Sequence, residues 1–441
     1  MLRPLIFRTL ITTFALTGCG LLNSILLSRG LGPEGRGEVA AAMLWPTLLI
    51  YLSSMGLITA IMYFAALPES RPQAIFANAL GLGLAQGALA ILIGFVVLPG
   101  LLRSQTSAVV TTSRVYLLVI PLSLLTQYGT SILQGRMRIA AFNWLRMVVP
   151  AGYLIGTIIL LLTGRLTLLN LILLLLLLNA IVMIATWMAL SRLGIHSSFR
   201  IDSPLAKQML KYGAKIQVGG ITGMANMSLD QVLMAAWLPS NYLGLYVVAV
   251  SAASLAQIFS QAVQLVLTPS ITQKETFAER AAVLQGAFHS YWLFSFLITL
   301  ALAALLPVMI PLVFGANFKD AVWPAEVLLL GIFFVGAKDV LGGGAQALGN
   351  PWLGSKAQVI ALVVTVGLLY LLLPRFGIMG AAIATTAAYW TQLVVVAYGL
   401  RQTHGMSLSG LFRFKTADLI STLHIFDLIK LKRERLASDE S

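Results

Sequence analysis

Charge is scarce in this sequence. Asp and Glu number 15 in 441 residues, Lys and Arg 29, and charged types together make up 10%. A soluble domain carries about 25%. So little charge cannot clothe a water-exposed surface, which excludes a soluble catalytic domain of any size. Cysteine occurs once, as Cys19, so no intrachain disulfide can form. The histidines, His196, His289, His404 and His424, are scattered without metal-site spacing. No metal and no cofactor is expected. A phosphate-binding glycine loop is missing, which argues against nucleotide hydrolysis by this chain. Strict alternation of polar and apolar residues, required of membrane barrel strands, is missing as well.

Long apolar runs fill the sequence instead, and 59% of residues are hydrophobic. The run from Leu166, LTLLNLILLLLLLNAIVMIATWMAL, is typical. A helix needs about 20 such residues to cross a hydrocarbon core of about 30 Å. Hydrocarbon offers the peptide groups no partner, so the runs are expected to be helices. Twelve spans are read, at 9–28, 38–62, 75–99, 114–134, 144–163, 167–189, 213–236, 243–268, 288–313, 322–345, 356–374 and 378–400. Near the start, Arg3 and Arg8 precede an apolar stretch ending in Leu16-Thr17-Gly18-Cys19, an imitation of a lipoprotein cleavage box. The apolar run continues past Cys19 to Leu27, which favours an ordinary first span.

Basic residues orient the chain. With the N-terminus inside, Arg3, Arg8, Arg71, Arg136, Arg138, Arg146, Arg192, Arg200, Lys207, Lys211, Lys215, Lys274, Arg280, Lys356 and the basic tail all fall inside. Only Arg29, Arg36, Arg103, Arg114, Arg165, Lys319 and Arg375 fall outside, and Lys338 lies within a span. Both termini are therefore expected in the cytoplasm, the membrane being a cell (inner) membrane. The same bias accounts for the net charge of +14 without a nucleic-acid partner. Two stretches, SPLAKQMLKYGAKIQ from Ser203 and DLISTLHIFDLIKLKRERL from Asp418, mix basic and apolar positions as headgroup-layer helices do.

The halves are related. LGPEGRGEVAAAM from Leu31 lies on LPSNYLGLYVVAV from Leu238, pairing Leu31 with Leu238, Gly37 with Gly244 and Ala42 with Ala249. Like positions six spans apart have the same orientation, so the repeats are parallel. The expected organisation is a six-helix bundle over 1–190, a cytoplasmic linker with an interfacial segment over 191–212, a second six-helix bundle over 213–400 and a cytoplasmic tail over 401–441.

The turn SRGLGPEGRGEVAA resembles the signature that opens oligosaccharide flippases, the polysaccharide-export branch of the multidrug/oligosaccharidyl-lipid/polysaccharide (MOP) superfamily. SLDQVLMAAWLPSNYLGLYVVAVSAASL, VFGANFKDAVWPAEVLLLG, QALGNP and LPRFGIMGAAIATTAAYW resemble the same family in the same order. The resemblance implies an all-α, V-shaped transporter of two bundles that flips a polyprenyl-diphosphate-linked oligosaccharide for cell-surface polysaccharide. It also implies, as neighbours, polysaccharide polymerase and chain-length machinery.

Several residues are candidates for the chemistry. Ser254, Gln257, Gln261 and Gln264 fall on one helical face, as a cavity wall for sugar hydroxyls or as amide contacts between helices. Asp230 is an intramembrane carboxylate, a candidate for ion coupling or a structural pair. Lys338 and Asp339 adjoin in the tenth span, pointing about 100° apart; Lys338 would attract a diphosphate or snorkel, and Asp339 would couple an ion. Arg29, Arg36, Arg8 and Arg146 complete the anion-binding set, since arginine binds phosphate oxygens bidentately. Pro46, Pro121, Pro150, Pro307 and Gly342–Gly344 are expected to kink or loosen their helices. A multidrug antiporter of the same superfamily is the nearest rival reading. A glycan polymerase would require a sizeable outside loop, and a scaffold would not need a polar face.

Overall fold

The computed structural model describes residues 2–196, 201–257, 260, 263, 271, 276–350 and 352–407; side chains at 2–8, 10, 218 and 219 lie outside the described set. Among the described residues the secondary structure is helical. Helices α1 (Leu2–Ser53), α2 (Leu57–Ala66), α3 (Pro72–Leu101), α4 (Ser107–Tyr116), α5 (Val119–Gly135), α6 (Ile139–Leu162), α7 (Leu168–Ser191), α8 (Ser203–Trp237) and α9 (Ser240–Ala253) come first. Helices α10 (Phe277–Phe314), α11 (Val322–Ala347) and α12 (Trp352–His404) follow.

Two of these helices are too long for one crossing. α1 has 52 residues and α12 has 53, about 80 Å each at 1.5 Å per residue. Each holds one non-helical residue, Gly32 (φ 68°, ψ −175°) and Gly377 (φ 54°, ψ −133°). Those values suit glycine, because a Cβ there would strain the backbone. Each glycine divides its helix into two crossings. The second crossing then runs from 33 through α2, past a left-handed step at Met55 and Gly56. The fourth is α4 with α5. Counted this way, the described helices trace twelve crossings, with the eighth beginning at α9. Eight helical stretches are by themselves long and apolar enough to cross.

Side chains divide between lipid and core. On α7, Leu173, Leu177, Ile181, Ile184 and Met188 are exposed while Leu171, Leu175, Asn179, Val182 and Thr186 are buried. Packing between helices relies on small residues, because lipid tails are as apolar as leucine and give no hydrophobic drive. A Cβ on Gly87 of α3 would lie 2.9 Å from the Pro121 Cβ on α5.

Contact density separates two compact units, Met1–Ser251 with Ile310–Ala321, and Ala252–Met309 with Val322–Ser441. In the first unit, α8 packs on α2 and α3. Gln217 donates to the Tyr51 carbonyl at 2.9 Å, Tyr63 stacks on Tyr212 at 4.7 Å, and Asn78 exchanges hydrogen bonds with the Asp202 backbone at 3.0 and 2.9 Å. The core of the second unit gathers Leu284, Phe288, Tyr291, Val340, Leu341, Leu393 and Val396.

The stretch from Ser203, expected in the headgroup layer, is the start of α8 and continuous with the seventh span. That 35-residue helix is about 52 Å long, so its first turns project beyond the hydrocarbon. Pro46 lies within the helical stretch of α1 after Gly32 and Pro150 within α6, whereas Pro121 follows the break between α4 and α5. Gly342–Gly344 remain helical within α11. The segment from Asp418 lies outside the described residues.

Replacing Gly32 with valine is expected to cost about 1–2 kcal/mol, since a β-branched residue is forced to positive φ. Gly18→Ala, on the same helix, adds a Cβ that meets nothing within 4 Å and is expected to be neutral. Thermal unfolding of the two purified variants checks this.

Candidate functional site

The turn after the first span leads straight into a close crossing. A Cβ on Gly37 would fall on the Ser240 carbonyl and lie 2.9 Å from the Gly244 nitrogen. A Cβ on Gly244 would fall on the Pro33 carbonyl and lie 2.9 Å from the Gly37 nitrogen. The contact is reciprocal. The sequence repeat pairs Gly37 with Gly244, and the same offset pairs Pro33 with Ser240. Repeat-equivalent backbones therefore meet as the two patches of a two-fold contact do. Only glycine permits it, because any side chain at either position would push the helices apart.

Polar groups tie down helix ends on the same side. Gln105, in the turn between α3 and α4, donates to the carbonyls of Ala235 (2.8 Å) and Leu238 (2.9 Å) and accepts from the Ser240 hydroxyl (2.7 Å). Ser104 donates to the Ala236 carbonyl at 2.6 Å. These satisfy carbonyls left over at the end of α8. Arg29 does likewise for the end of α10. Its Nε donates to the Val313 carbonyl at 2.8 Å and its guanidinium also bonds the Leu312 carbonyl. A cation at a helix C-terminus is favourably placed against the dipole.

Arg36 lies one turn into the second crossing and is half-buried. One guanidinium nitrogen donates to the Ser24 hydroxyl at a long 3.5 Å, and its Nε is sealed from solvent with no partner. Ser24 also meets the Ser251 hydroxyl at 3.3 Å. Asn23 and Tyr153 are buried beside it, and Thr157 lies one turn beyond Tyr153 on α6. The Tyr153 hydroxyl and the Asn23 side chain lie within hydrogen-bonding reach of each other. These neighbours escaped sequence reasoning. Their signal is a polar pair inside an apolar span, and a Tyr and Thr four apart on the fifth.

Asp230 is buried in α8. It accepts from the Tyr246 hydroxyl at 2.5 Å and from the Gln231 amide at 2.7 Å. In the second unit, Lys338 is 9% exposed and its Nζ reaches Asp339 Oδ1 at 2.5 Å. These adjacent residues do pair, because flexible side chains close the gap that their backbone directions open. Close by, Tyr291 donates to the Phe333 carbonyl at 3.1 Å and accepts from Ser295 at 3.1 Å.

The remaining candidates are dispersed. Arg146 is exposed, its guanidinium 5.2 Å from the Phe142 ring centre. Arg8 lies on α1, and its side chain is outside the described set. Ser254 belongs to a 3₁₀ turn, Ser254–Ala256, and Gln257 follows it, half-buried. Gln261 and Gln264 lie outside the described residues. Among the described residues no cluster of His, Cys, Asp and Glu could hold a metal ion.

Comparison with known proteins adds to this geometry. The family model described as "Polysaccharide biosynthesis protein" matches residues 26–323. A probable low-salt glycan biosynthesis flippase of Haloferax volcanii, Agl15, is 26% identical over 198 residues, 44% of this chain and 42% of the relative. An uncharacterized membrane protein of Methanocaldococcus jannaschii is 24% identical over 230 residues, 51% of this chain and 44% of the relative. The matched region thus spans less than half the length of either curated relative. Among solved structures, an inward-closed lipid II flippase MurJ superposes with a TM-score of 0.75 at 15% identity, covering 95% of this chain and 92% of that one. An inward-facing multidrug resistance MATE transporter of the MOP superfamily gives 0.71 at 17% identity, covering 91% and 99%. At such identities the likeness establishes the fold alone, the all-helical fold of these two transporters.

Removing the Tyr246 hydroxyl as Tyr246→Phe takes one donor from a buried carboxylate, at an expected cost of about 1–3 kcal/mol. Thermal unfolding of the purified variant measures it. Ser290→Ala, far along the chain on α10, is expected to cost less.

Proposed function

The chain belongs to the polysaccharide biosynthesis protein family, and from that membership we propose that it is a flippase, not an enzyme. Its substrate would be a polyprenyl-diphosphate-linked oligosaccharide, carried across the cytoplasmic membrane for cell-surface polysaccharide. The family match over residues 26–323 carries this reading, and the name of the Haloferax relative supports it. Fold alone does not choose, since the lipid II flippase and the multidrug transporter superpose comparably. Charge favours the flippase. Cations near the span ends are numerous, whereas the buried Asp230 and the partly buried Asp339 are already engaged, which suits an anionic substrate over a cationic drug.

The barrier to be removed is the desolvation of sugar and diphosphate in hydrocarbon. Two six-helix bundles, 1–190 and 213–400, would rock about the membrane centre. The linker 191–212 would join them, with the tail 401–441 and both termini in the cytoplasm. Arg8 and Arg146, at inside ends of spans, would gather the diphosphate. Ser254, Gln257, Gln261 and Gln264 would hydrogen-bond the sugars, and the polyprenyl chain would stay in lipid. Lys338 would attract the diphosphate, and Asp339, bonded to it at 2.5 Å, is a candidate for ion coupling. Asp230 is a second coupling candidate. Arg29 would receive the headgroup outside once its carbonyl partners part. A polymerase and chain-length machinery would consume the delivered glycan.

The test is the accessibility of lipid-linked glycan at the outer leaflet of source cells, with and without the protein. Trapping inside on deletion, restored by wild type, supports flipping. Normal export without it, in cells lacking a redundant flippase, overturns the reading in favour of the antiporter. Gly244→Leu, which breaks the glycine crossing, is expected to lower export at least tenfold at an equal membrane level. Gly20→Leu, in open space, is expected to export normally.

A further inference from the structure

In the second unit, the two crossings of α12 leave a groove between them where the helix starts and finishes. Lys356 and Ile360 line one wall and Thr403, Gln402, Tyr398 and Val394 the other, around a cavity of about 320 Å³. Both walls change character in the same direction. On the first, Lys356 gives way one turn further in to Ile360. On the second, Gln402 and Thr403 give way to Tyr398 and then Val394. The crossings are antiparallel, so the two gradients coincide: polar at the helix ends, apolar toward the middle. The crossings touch within the groove, since a Cβ on Gly399 would fall on the side chain of Leu353, which is buried. The rim is apolar and exposed at Ile360, Val394 and Tyr398. Trp352, exposed at the start of α12, and Tyr398 set this end at the membrane interface, where amphipathic rings gather.

The walls select an occupant. A water-soluble anion would leave the apolar half uncovered, and plain hydrocarbon would make no use of Lys356. Lys356 is exposed, and no carboxylate lines the groove. Arg401, beside Gln402 and also exposed, adds to the positive field. A phosphate carried on an alkyl chain satisfies both halves, because lysine near a membrane surface attracts lipid phosphate and the chain covers apolar surface. The volume holds a phosphate and the upper part of a chain, without room for a glycan. Among such molecules the bilayer lipid is by far the most concentrated, and occupancy follows concentration.

We propose that this groove binds one anionic phospholipid. Lys356, Asn350 and Gln402 hold its phosphate, and one acyl chain lies along Ile360, Val394 and Tyr398. The site does not depend on what the protein carries. A lysine at a span end orients a chain wherever it stands on the helix, whereas a lysine at the polar end of a groove also selects the lipid beside it.

The purified full chain in detergent is titrated with phosphatidylglycerol and, separately, with phosphatidylcholine, and bound lipid is counted by native mass spectrometry. Wild type is expected to bind one phosphatidylglycerol about fivefold more tightly than phosphatidylcholine, the effect of one lysine at a membrane surface. Lys356→Gln, at an exposed position, is expected to bring the two lipids level. Val394→Trp, which fills the apolar half, is expected to weaken phosphatidylglycerol binding by a similar factor. Arg375→Gln removes an exposed cation at the far end of the same crossing and is expected to keep the preference. No preference in wild type, a preference that Lys356→Gln leaves unchanged, or one that Arg375→Gln removes equally overturns the proposal. So does tighter binding of polyprenyl monophosphate than of phosphatidylglycerol, which would give the groove to another lipid.

Discussion

Hydrocarbon has no hydrogen-bonding partner for a peptide group, and this single deficit governs the molecule. It forces the chain into helices, so each crossing satisfies its own backbone. It then leaves the helix ends as the places where carbonyls go unpaired. The protein answers at those ends with side chains from neighbouring segments. Gln105 and Ser104 serve α8, and Arg29 serves α10. The same deficit removes the hydrophobic drive between helices, so contact must come from close fit. Gly87 against Pro121 and Gly37 against Gly244 provide it.

Polar side chains inside the spans divide by whether a partner meets them. Asp230 with Tyr246 and Lys338 with Asp339 are closed pairs, in which the local charge or dipole is largely spent. Arg36 meets no carboxylate among the described residues and reaches only the Ser24 hydroxyl, at 3.5 Å. In a low-dielectric interior an open cation matters more than a closed pair, because the attraction it can still exert is undiminished. Arginine rather than lysine strengthens this: a guanidinium does not lose its proton, so burial cannot silence it.

Much of the fold was legible from length and composition. A run of about 20 apolar residues means a crossing whatever its sequence, and all twelve expected spans have helical counterparts among the described residues. Burial was less legible. α7 is apolar on every side, so nothing in its pattern told Leu175 in the core from Leu177 in lipid. The turns are shorter than the sequence suggests, because one glycine at positive φ, Gly32 or Gly377, replaces a loop. The candidate site was legible as residue types and not as partners. Arg29 stood out as an outside cation, but its carbonyl partners are almost 300 positions away in the chain. The 100° between Lys338 and Asp339 left their pairing open, and they do pair, since helix geometry fixes Cβ directions and not the reach of a lysine. Pairing Gly37 with Gly244 came from the sequence alone, and the two glycines approach each other's backbones.

The crossing of Gly37 and Gly244 is held together cheaply. Its attraction comes from backbone approach, where Cα–H···O contacts contribute only about 0.5–1 kcal/mol each. Arg29 adds hydrogen bonds to carbonyls at an exposed helix end, which water can replace at little cost. No buried ion pair among the described residues locks this side. The total is a few kcal/mol, the scale on which binding energy can shift a two-state equilibrium between extremes. An apolar core of leucines at the same crossing would bury more surface but would expose it to water on opening. Glycines expose almost nothing. A contact that is close when made and inexpensive when broken would serve the alternating access proposed above, with one such glycine on each partner helix.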